Sequence, residues 1–362
     1  MKSLKSVITL LSIIVLVPCT AAFAAESITV TSFGGALSTS QIEAYQKPFA
    51  AKTGVTVNAE VYNGGLAEVR AQVQAGNVTW DVVDLEKQDV VAACDEGLLE
   101  PIDWSTLPAA PDGTPAEKDF LPGALHECAV ATIVWTTIVA YDETKFPGEK
   151  PTKLADFFDI KKFPGMRAIS KRPVVALEFA LMADGVPPEE VYKTLSTSDG
   201  MDRAFKKLDT IKENLIFWEA GAQPPQMLAD GEVVMTTAYN GRIFNAQMQE
   251  SKPFVIIWDH QVYNWDMYAI PKGTKHKKTA MEFLKFATDT QRLADQASWI
   301  SYGPVRKSSL PLISTFHGTN VQMAPHMPTA TENFKNALQT DVEWWADNQD
   351  EINKRYNAWM AK

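Results

Sequence analysis

Cysteine is scarce in this 362-residue chain: there are three, and no Cys-x-x-Cys or His-x-x-x-His spacing accompanies them. The five histidines, His126, His260, His276, His317 and His326, are scattered. No cofactor and no metal site is expected on this pattern. Excess positive charge is lacking as well: 34 Lys and Arg stand against 44 Asp and Glu, a net charge of -10. A nucleic-acid partner, which requires a basic face, is not indicated. Gly-x-Ser-x-Gly, His-Glu-x-x-His and Ser-x-x-Lys patterns in their proper settings are missing, so no catalytic nucleophile or zinc hydrolase is recognisable and the chain is not read as an enzyme.

Long apolar runs are also rare. Residues 7–17 form one, preceded by Lys2 and Lys5 and followed by Ala22 and Ala24 at the positions a signal peptidase reads. The run is shorter than the roughly 20 residues of a bilayer span. Residues 1–24 are therefore expected to be an export signal. Pro18 before Cys19 does not suit a lipoprotein signal. The mature chain is expected to be periplasmic. In an oxidising compartment the two remaining cysteines, Cys94 and Cys128, are expected to be joined. Two separate buried thiols are the alternative, because sequence does not place their Cα atoms.

What the chain does have is apolar and aromatic mass: 46% hydrophobic residues and ten tryptophans. That suffices for real cores, and the length suggests two domains. Strand-like runs at 27–32, 55–61 and 80–85 alternate with helical patterns at 38–53, 68–75 and 88–94. This is the rhythm of βαβ units and predicts an α/β fold with a parallel sheet, whose ligands bind where strands end. Ser32, Phe33, Gly34 and Gly35 form the first such loop, and Glu86 follows the third strand. The glycines admit close approach to a helix N-terminus, although a tight turn explains them equally well. The uncharged run 129–141 is too long for an ordinary strand and suits one that passes from one domain to the next. A second α/β unit follows from 153, and the chain is expected to cross back after Asp266. The expected lobes are 25–136 with 267–315, and 137–266 with 316–362.

The stretch from Glu232 to Pro271 holds the densest candidate chemistry. Two β-prone runs each end in an aromatic and a charge: Tyr239 with Arg242, and Trp265 with Asp266. Asn240-Gly241 reads as a turn. Rings supply contact area and charges supply orientation, the usual make-up of a small-molecule site.

These segments carry a resemblance. Thr-Ser-Phe-Gly-Gly-Ala at 31–36, Trp-Asp-Val-Val at 80–83, Glu-Gly-Leu-Leu-Glu-Pro-Ile-Asp at 96–103 and Lys-Leu-Ala-Asp-Phe-Phe-Asp at 153–159 begin it. Gly-Ala-Gln-Pro-Pro-Gln at 221–226, Ala-Tyr-Asn-Gly-Arg at 238–242, Trp-Asp-Met-Tyr-Ala-Ile-Pro-Lys at 265–272 and Tyr-Gly-Pro-Val at 302–305 continue it. Together they resemble the polyamine-type periplasmic solute-binding proteins of ABC importers. The resemblance implies a two-lobed type II periplasmic binding fold with two hinge crossovers, a monomer that closes on its solute and hands it to an inner-membrane permease. It also places Asp266, Tyr239 and Tyr302 on the family's ligand positions.

The chain departs from that pattern where Arg242 replaces an acid of the putrescine receptors, and where Lys171-Arg172 replaces acids of the spermidine receptors. An arginine repels an ammonium and pairs bidentately with a carboxylate. One retained acid and an added cation describe a site for a zwitterion, with γ-aminobutyrate the best-fitting solute. Arg242 and Arg172 turned to solvent, or bridging to Glu86 or Glu219, is the other reading. Polyamines remain the alternative solute. Proline or betaine-like solutes fit less specifically, and a ferric-ion receptor would commonly show the adjacent tyrosines that this chain lacks.

Overall fold

The computed structural model describes residues 26–361; the expected signal, with Cys19, lies outside the described residues. No described helix is long and apolar enough to cross a membrane. Among the described residues eight strands of at least four residues form one sheet. The first three are β1 (Ser27–Ser32), β2 (Thr56–Val61) and β3 (Val82–Glu86). They are parallel, with β1 in the middle. The helical segment over residues 35–53 contains a π-helical turn at Ile42–Gln46, which delivers the buried Tyr45 hydroxyl to Gln296.

Next comes β4 (Ala129–Asp142), the uncharged run, buried along almost its whole length. The second lobe adds β5 (Arg167–Ser170), β6 (Leu215–Trp218) and β7 (Met235–Tyr239), and β8 (Phe254–Ala269) returns to the first. The order across the sheet is β2-β1-β3-β8-β4-β7-β5-β6. Its outer strands are parallel, as expected, but the centre is not. β8 runs antiparallel to both β3 and β4, and β4 antiparallel to β7. The expected parallel sheet is therefore a mixed one: a chain that enters the second lobe on one strand and leaves it on another must run those two strands in opposite directions.

The apolar stretches 254–258 and 267–269 are parts of the single 16-residue β8. His260, at φ 57, lets the strand bulge between them, where the register against β4 shifts between Thr137 and Val139.

Three cores flank the sheet. One, around Val30, Val82, Val130, Met267 and Phe283, belongs to the first lobe and already includes Trp265. In the second lobe Val139, Phe157, Leu177 and Leu208 pack on one face, with Ile138, Ala168 and Leu228 on the other. The last long helix, Val342–Met360, turns Trp345, Ile352, Tyr356 and Trp359 into the second lobe at helical spacing.

Asn240-Gly241 is not the turn its sequence suggests. It opens the helix Asn240–Gln249 directly from β7. The Asn240 side chain accepts the Thr136 N–H at 3.2 Å and donates to the Ser301 carbonyl. A Cβ on Gly241 would stand 2.6 Å from the Tyr302 ring. The pair serves close packing of Tyr302 against the helix start.

Cys94 and Cys128 are joined, with Cα atoms 5.9 Å apart. The bond ties the end of the Lys87–Asp95 helix to the start of β4. Each sulfur is committed to the other, so neither offers a thiolate to the adjacent His126. By loop-closure entropy, a bridge spanning 34 residues contributes about 3–4 kcal/mol. The double variant Cys94→Ser/Cys128→Ser should lose about that much in denaturant unfolding, and the unreduced native protein should show no free thiol by mass.

Asp84 lies wholly inside the first lobe, accepting from Ser32 Oγ at 2.9 Å and Gln41 Nε2 at 2.6 Å. Burial holds its carboxyl up at about 7 against the pull of those two hydrogen bonds, with Glu86 adding to the rise. The folded protein thus binds a proton here that the unfolded chain has released, and stability from this group falls as pH rises from about 4 through 7. Asp84→Asn should gain melting temperature over the native protein at about pH 8 and gain little at about pH 5. Equal differences at both pH values would contradict the assignment.

Candidate functional site

Side chains alternate along a strand, and this alternation builds the floor of the cleft. On β8, Val262, Asn264 and Asp266 point to one side, while Tyr263 and Trp265 point to the other. On β4, Trp135 and Thr137 share the cleft side. Trp135 Nε1 donates to Asp266 Oδ1 at 2.7 Å, and Glu86 at the end of β3 pairs in register with Asp266.

The walls come from strand ends. Phe33 follows β1 and stacks on Tyr62 at 5.2 Å. Tyr239 ends β7, meeting the Trp135 ring edge to face at 5.2 Å and 83°. Arg242 stands one turn into the next helix, and Tyr302 packs over Gly241. Together Phe33, Leu37, Glu86, Trp135, Tyr239, Arg242, Asp266 and Tyr302 line a cavity of about 140 Å3. That is on the order of five waters' share of liquid volume, the scale of a small solute.

Charge in this cavity is arranged without mutual neutralisation. Asp266 is 4% exposed. Burial pushes its carboxyl well above the usual range, Asp84 and Glu86 push it further, and the Trp135 hydrogen bond opposes them. Burial likewise raises Glu86, with Arg172 as the largest opposing influence. Tyr302 and Tyr239 are raised by burial first, and Arg242 and Arg172 respectively temper the rise. Among the described residues neither Asp266 nor Arg242 has an ion-pair partner within 4.0 Å, and no protein acceptor takes a hydrogen bond from Arg242. A buried carboxyl and an available guanidinium thus face one small cavity walled by aromatic rings.

The structure brings together Phe33, Glu86, Tyr239, Arg242, Asp266 and Tyr302 from the residues singled out in the sequence. Arg172 stands just beyond, donating to the Tyr239 hydroxyl at 2.9 Å and lining an adjoining cavity. Its neighbour Lys171 pairs with Glu219. Ser32 faces inward to Asp84. Gly34 has its N–H taken by Ser38 Oγ at 2.9 Å, so it offers no donor to a ligand. Gly35, at φ 60, lies where a Cβ would come within 3.2 Å of Arg242 Nη1. Trp265 is not at the cavity: strand alternation sends it to the opposite face, into the first-lobe core. Trp135 and Leu37 went unforeseen. Trp135 is the ring in the middle of the uncharged run, and a count by twos from the crossover would have put it on the same face as the acid.

Residues 44–329 match the model of the family described as bacterial extracellular solute-binding protein. A γ-aminobutyric acid-binding protein of Pseudomonas aeruginosa is 44% identical over 337 residues, 93% of this chain and 92% of that protein. Among solved structures, one described as the Atu4243 GABA receptor superposes with a TM-score of 0.77 at 32% identity, covering 93% of this chain and 98% of that one. The spermidine/putrescine substrate-binding protein PotD of Streptococcus pneumoniae shares the fold, with a TM-score of 0.71 at 16% identity over 93% of this chain and 100% of that one. The match over most of the chain, on a two-lobed α/β frame with its site at the crossing strands, places this protein in the bacterial extracellular solute-binding family.

Proposed function

We propose that this protein is the periplasmic receptor of an ABC importer and that its solute is a zwitterionic ω-amino acid, with γ-aminobutyrate foremost. One observation carries the choice of solute: Asp266 and Arg242, each without an ion-pair partner among the described residues, line one cavity of about 140 Å3. The names of the Pseudomonas aeruginosa relative and of Atu4243 support the same reading.

In this reading Asp266 takes the ammonium in a charge-assisted hydrogen bond, with Glu86 beside it. Phe33, Trp135, Tyr239 and Tyr302 cover the methylene chain, and their faces favour a cation nearby. Arg242 receives the carboxylate bidentately. Trp135 fixes the Asp266 carboxyl through its indole N–H, so the acid is oriented before the solute arrives. The protein acts as a monomer, is not an enzyme, and delivers its solute to an inner-membrane permease.

The expected lobes are 25–136 with 267–315, and 137–266 with 316–362, with one boundary moved in this proposal. The second crossover is drawn two residues upstream, because Trp265 already packs in the first core. Closure then rests on the two crossing strands, which bulge at Thr137/Val139. Scattering should show a smaller radius of gyration at saturating solute, and an unchanged radius would place binding in one lobe alone.

Removing one partner of a desolvated charge pair costs on the order of 2–5 kcal/mol. Asp266→Asn and Arg242→Ala should therefore each weaken γ-aminobutyrate by more than about thirtyfold, at 1.4 kcal/mol per decade. A diamine gives the opposite sign at Arg242, since the alanine variant removes a like charge. Calorimetry of both variants with γ-aminobutyrate and putrescine separates the two. Tight putrescine binding by the native protein would overturn the choice of solute.

A further inference from the structure

A second cavity, of about 390 Å3, adjoins the first. Glu86, Trp135 and Tyr239 line both, so these three side chains form the partition. Both stand on the same face of the crossing strands. Asp266 lies under the smaller, and Asn264 and Val262 follow under the larger at two-residue steps along β8. They are consecutive compartments of one cleft.

Their chemistry differs. Arg242 and Asp266 line only the smaller compartment. The larger is mostly apolar, walled by Ile169, Val174, Val175 and the indoles of Trp218 and Trp345, and the polar groups set among them are mainly neutral, Thr137, Thr340, Gln349 and Asn353. These indoles are held in place: Trp345 Nε1 donates to Glu178 at 2.7 Å and Trp218 Nε1 to Thr237 at 3.3 Å. The charged groups there are largely engaged. Arg172 is bound to Tyr239, and Asp89 accepts the Gly65 N–H. Fixed indole surface beside neutral hydrogen-bonding side chains suits an uncharged carbon chain bearing hydroxyls or amides.

The position of the partition decides which end of a solute reaches this compartment. Trp135 is bonded to Asp266, where the amine sits in the function proposed above, whereas Arg242 does not line the larger compartment. We propose that the larger compartment receives an uncharged, hydroxyl- or amide-bearing substituent on the amine nitrogen of the ω-amino acid, so that N-substituted secondary amines are bound alongside the parent solute. A secondary ammonium retains both its charge and N–H donors for Asp266, so the substitution leaves the main contact intact. This inference rests on the ω-amino acid reading.

The test is calorimetry of the mature protein with three probes: γ-aminobutyrate, its N-hydroxyethyl derivative, and the isomer bearing the same hydroxyethyl group on the carbon next to the carboxylate. The N-substituted compound should bind within about tenfold of the parent, and the carbon-substituted isomer more than about thirtyfold more weakly than its N-isomer. Ala346→Trp narrows only the larger compartment, from the Val342–Met360 helix. It should weaken the N-hydroxyethyl compound by about tenfold or more while changing the parent's affinity by less than about twofold. Retained parent binding reports that the variant is folded; if it is lost, Gln349→Trp on the same helix replaces it. Parent binding with both isomers excluded alike, or N-substituted binding indifferent to the filled compartment, overturns the inference and leaves the ω-amino acid reading standing. Failure of every probe to bind the native protein removes that reading itself.

Discussion

A carboxyl group buried beside two others, with no cation to meet it, is the constraint around which the centre of this molecule is arranged. Asp266 sits at the junction of three strands, in register with Glu86 and near the wholly buried Asp84. Desolvation and like charge both oppose its ionised form. A single indole N–H holds it in orientation without neutralising it. In the proposed function an ammonium entering the cleft supplies the missing charge and reverses that balance.

The frame makes this possible by running β4 and β8 through both lobes. Each strand belongs to two hydrophobic cores, so the residues between the cores, Trp135 and Thr137 on one strand and Asn264 and Asp266 on the other, lie at the floor of a cleft rather than inside either lobe. The bulge at His260, with Asp259 accepting from Leu154 and Asn336, concentrates irregular backbone just on the second-lobe side. The register of β4 against β8 shifts on both sides of the floor, between Ala131 and Ile133 and between Thr137 and Val139, which suits strands about which two lobes move.

Much of this was legible in the sequence, and the rest failed for identifiable reasons. The crossing strand was readable because an uncharged run of that length fits no single-lobe strand. Asp266, Tyr239 and Arg242 were readable because each ends or follows a strand-like run, whereas Tyr302 was readable through the resemblance alone. The antiparallel centre was not, since local periodicity reports strands and helices but not the direction in which a long strand returns. Trp265 was misplaced because adjacency in sequence was taken for adjacency in space, which a strand forbids. Trp135 was hidden for the complementary reason: its partner Asp266 is 131 residues away, and only the register of β4 against β8 brings them together. Asn240-Gly241 carried a strong turn signal, but the Asn240 bonds to Thr136 and Ser301 are tertiary and override it.

The glycines of the first loop do not line the cavity, and their roles are in packing. Two glycines before a helix suggested backbone N–H groups offered to a ligand. Gly34 instead gives its N–H to Ser38 and so offers none to a ligand. Both positions need glycine for space: at Gly34, with φ 76, a Cβ would stand 2.8 Å from Val61 Cγ1. At Gly35 the backbone has φ 60, and a methyl group there would stand 3.2 Å from the Arg242 guanidinium. The first lobe thus yields space to a cation carried by the second. Gly241 yields space to Tyr302 in the same way, now for a first-lobe ring against a second-lobe helix. Both close approaches join the two lobes at the end of the cleft where Arg242 stands. In the proposed function the anionic end of the solute is met where these two close approaches join the lobes, and its cationic end on the floor.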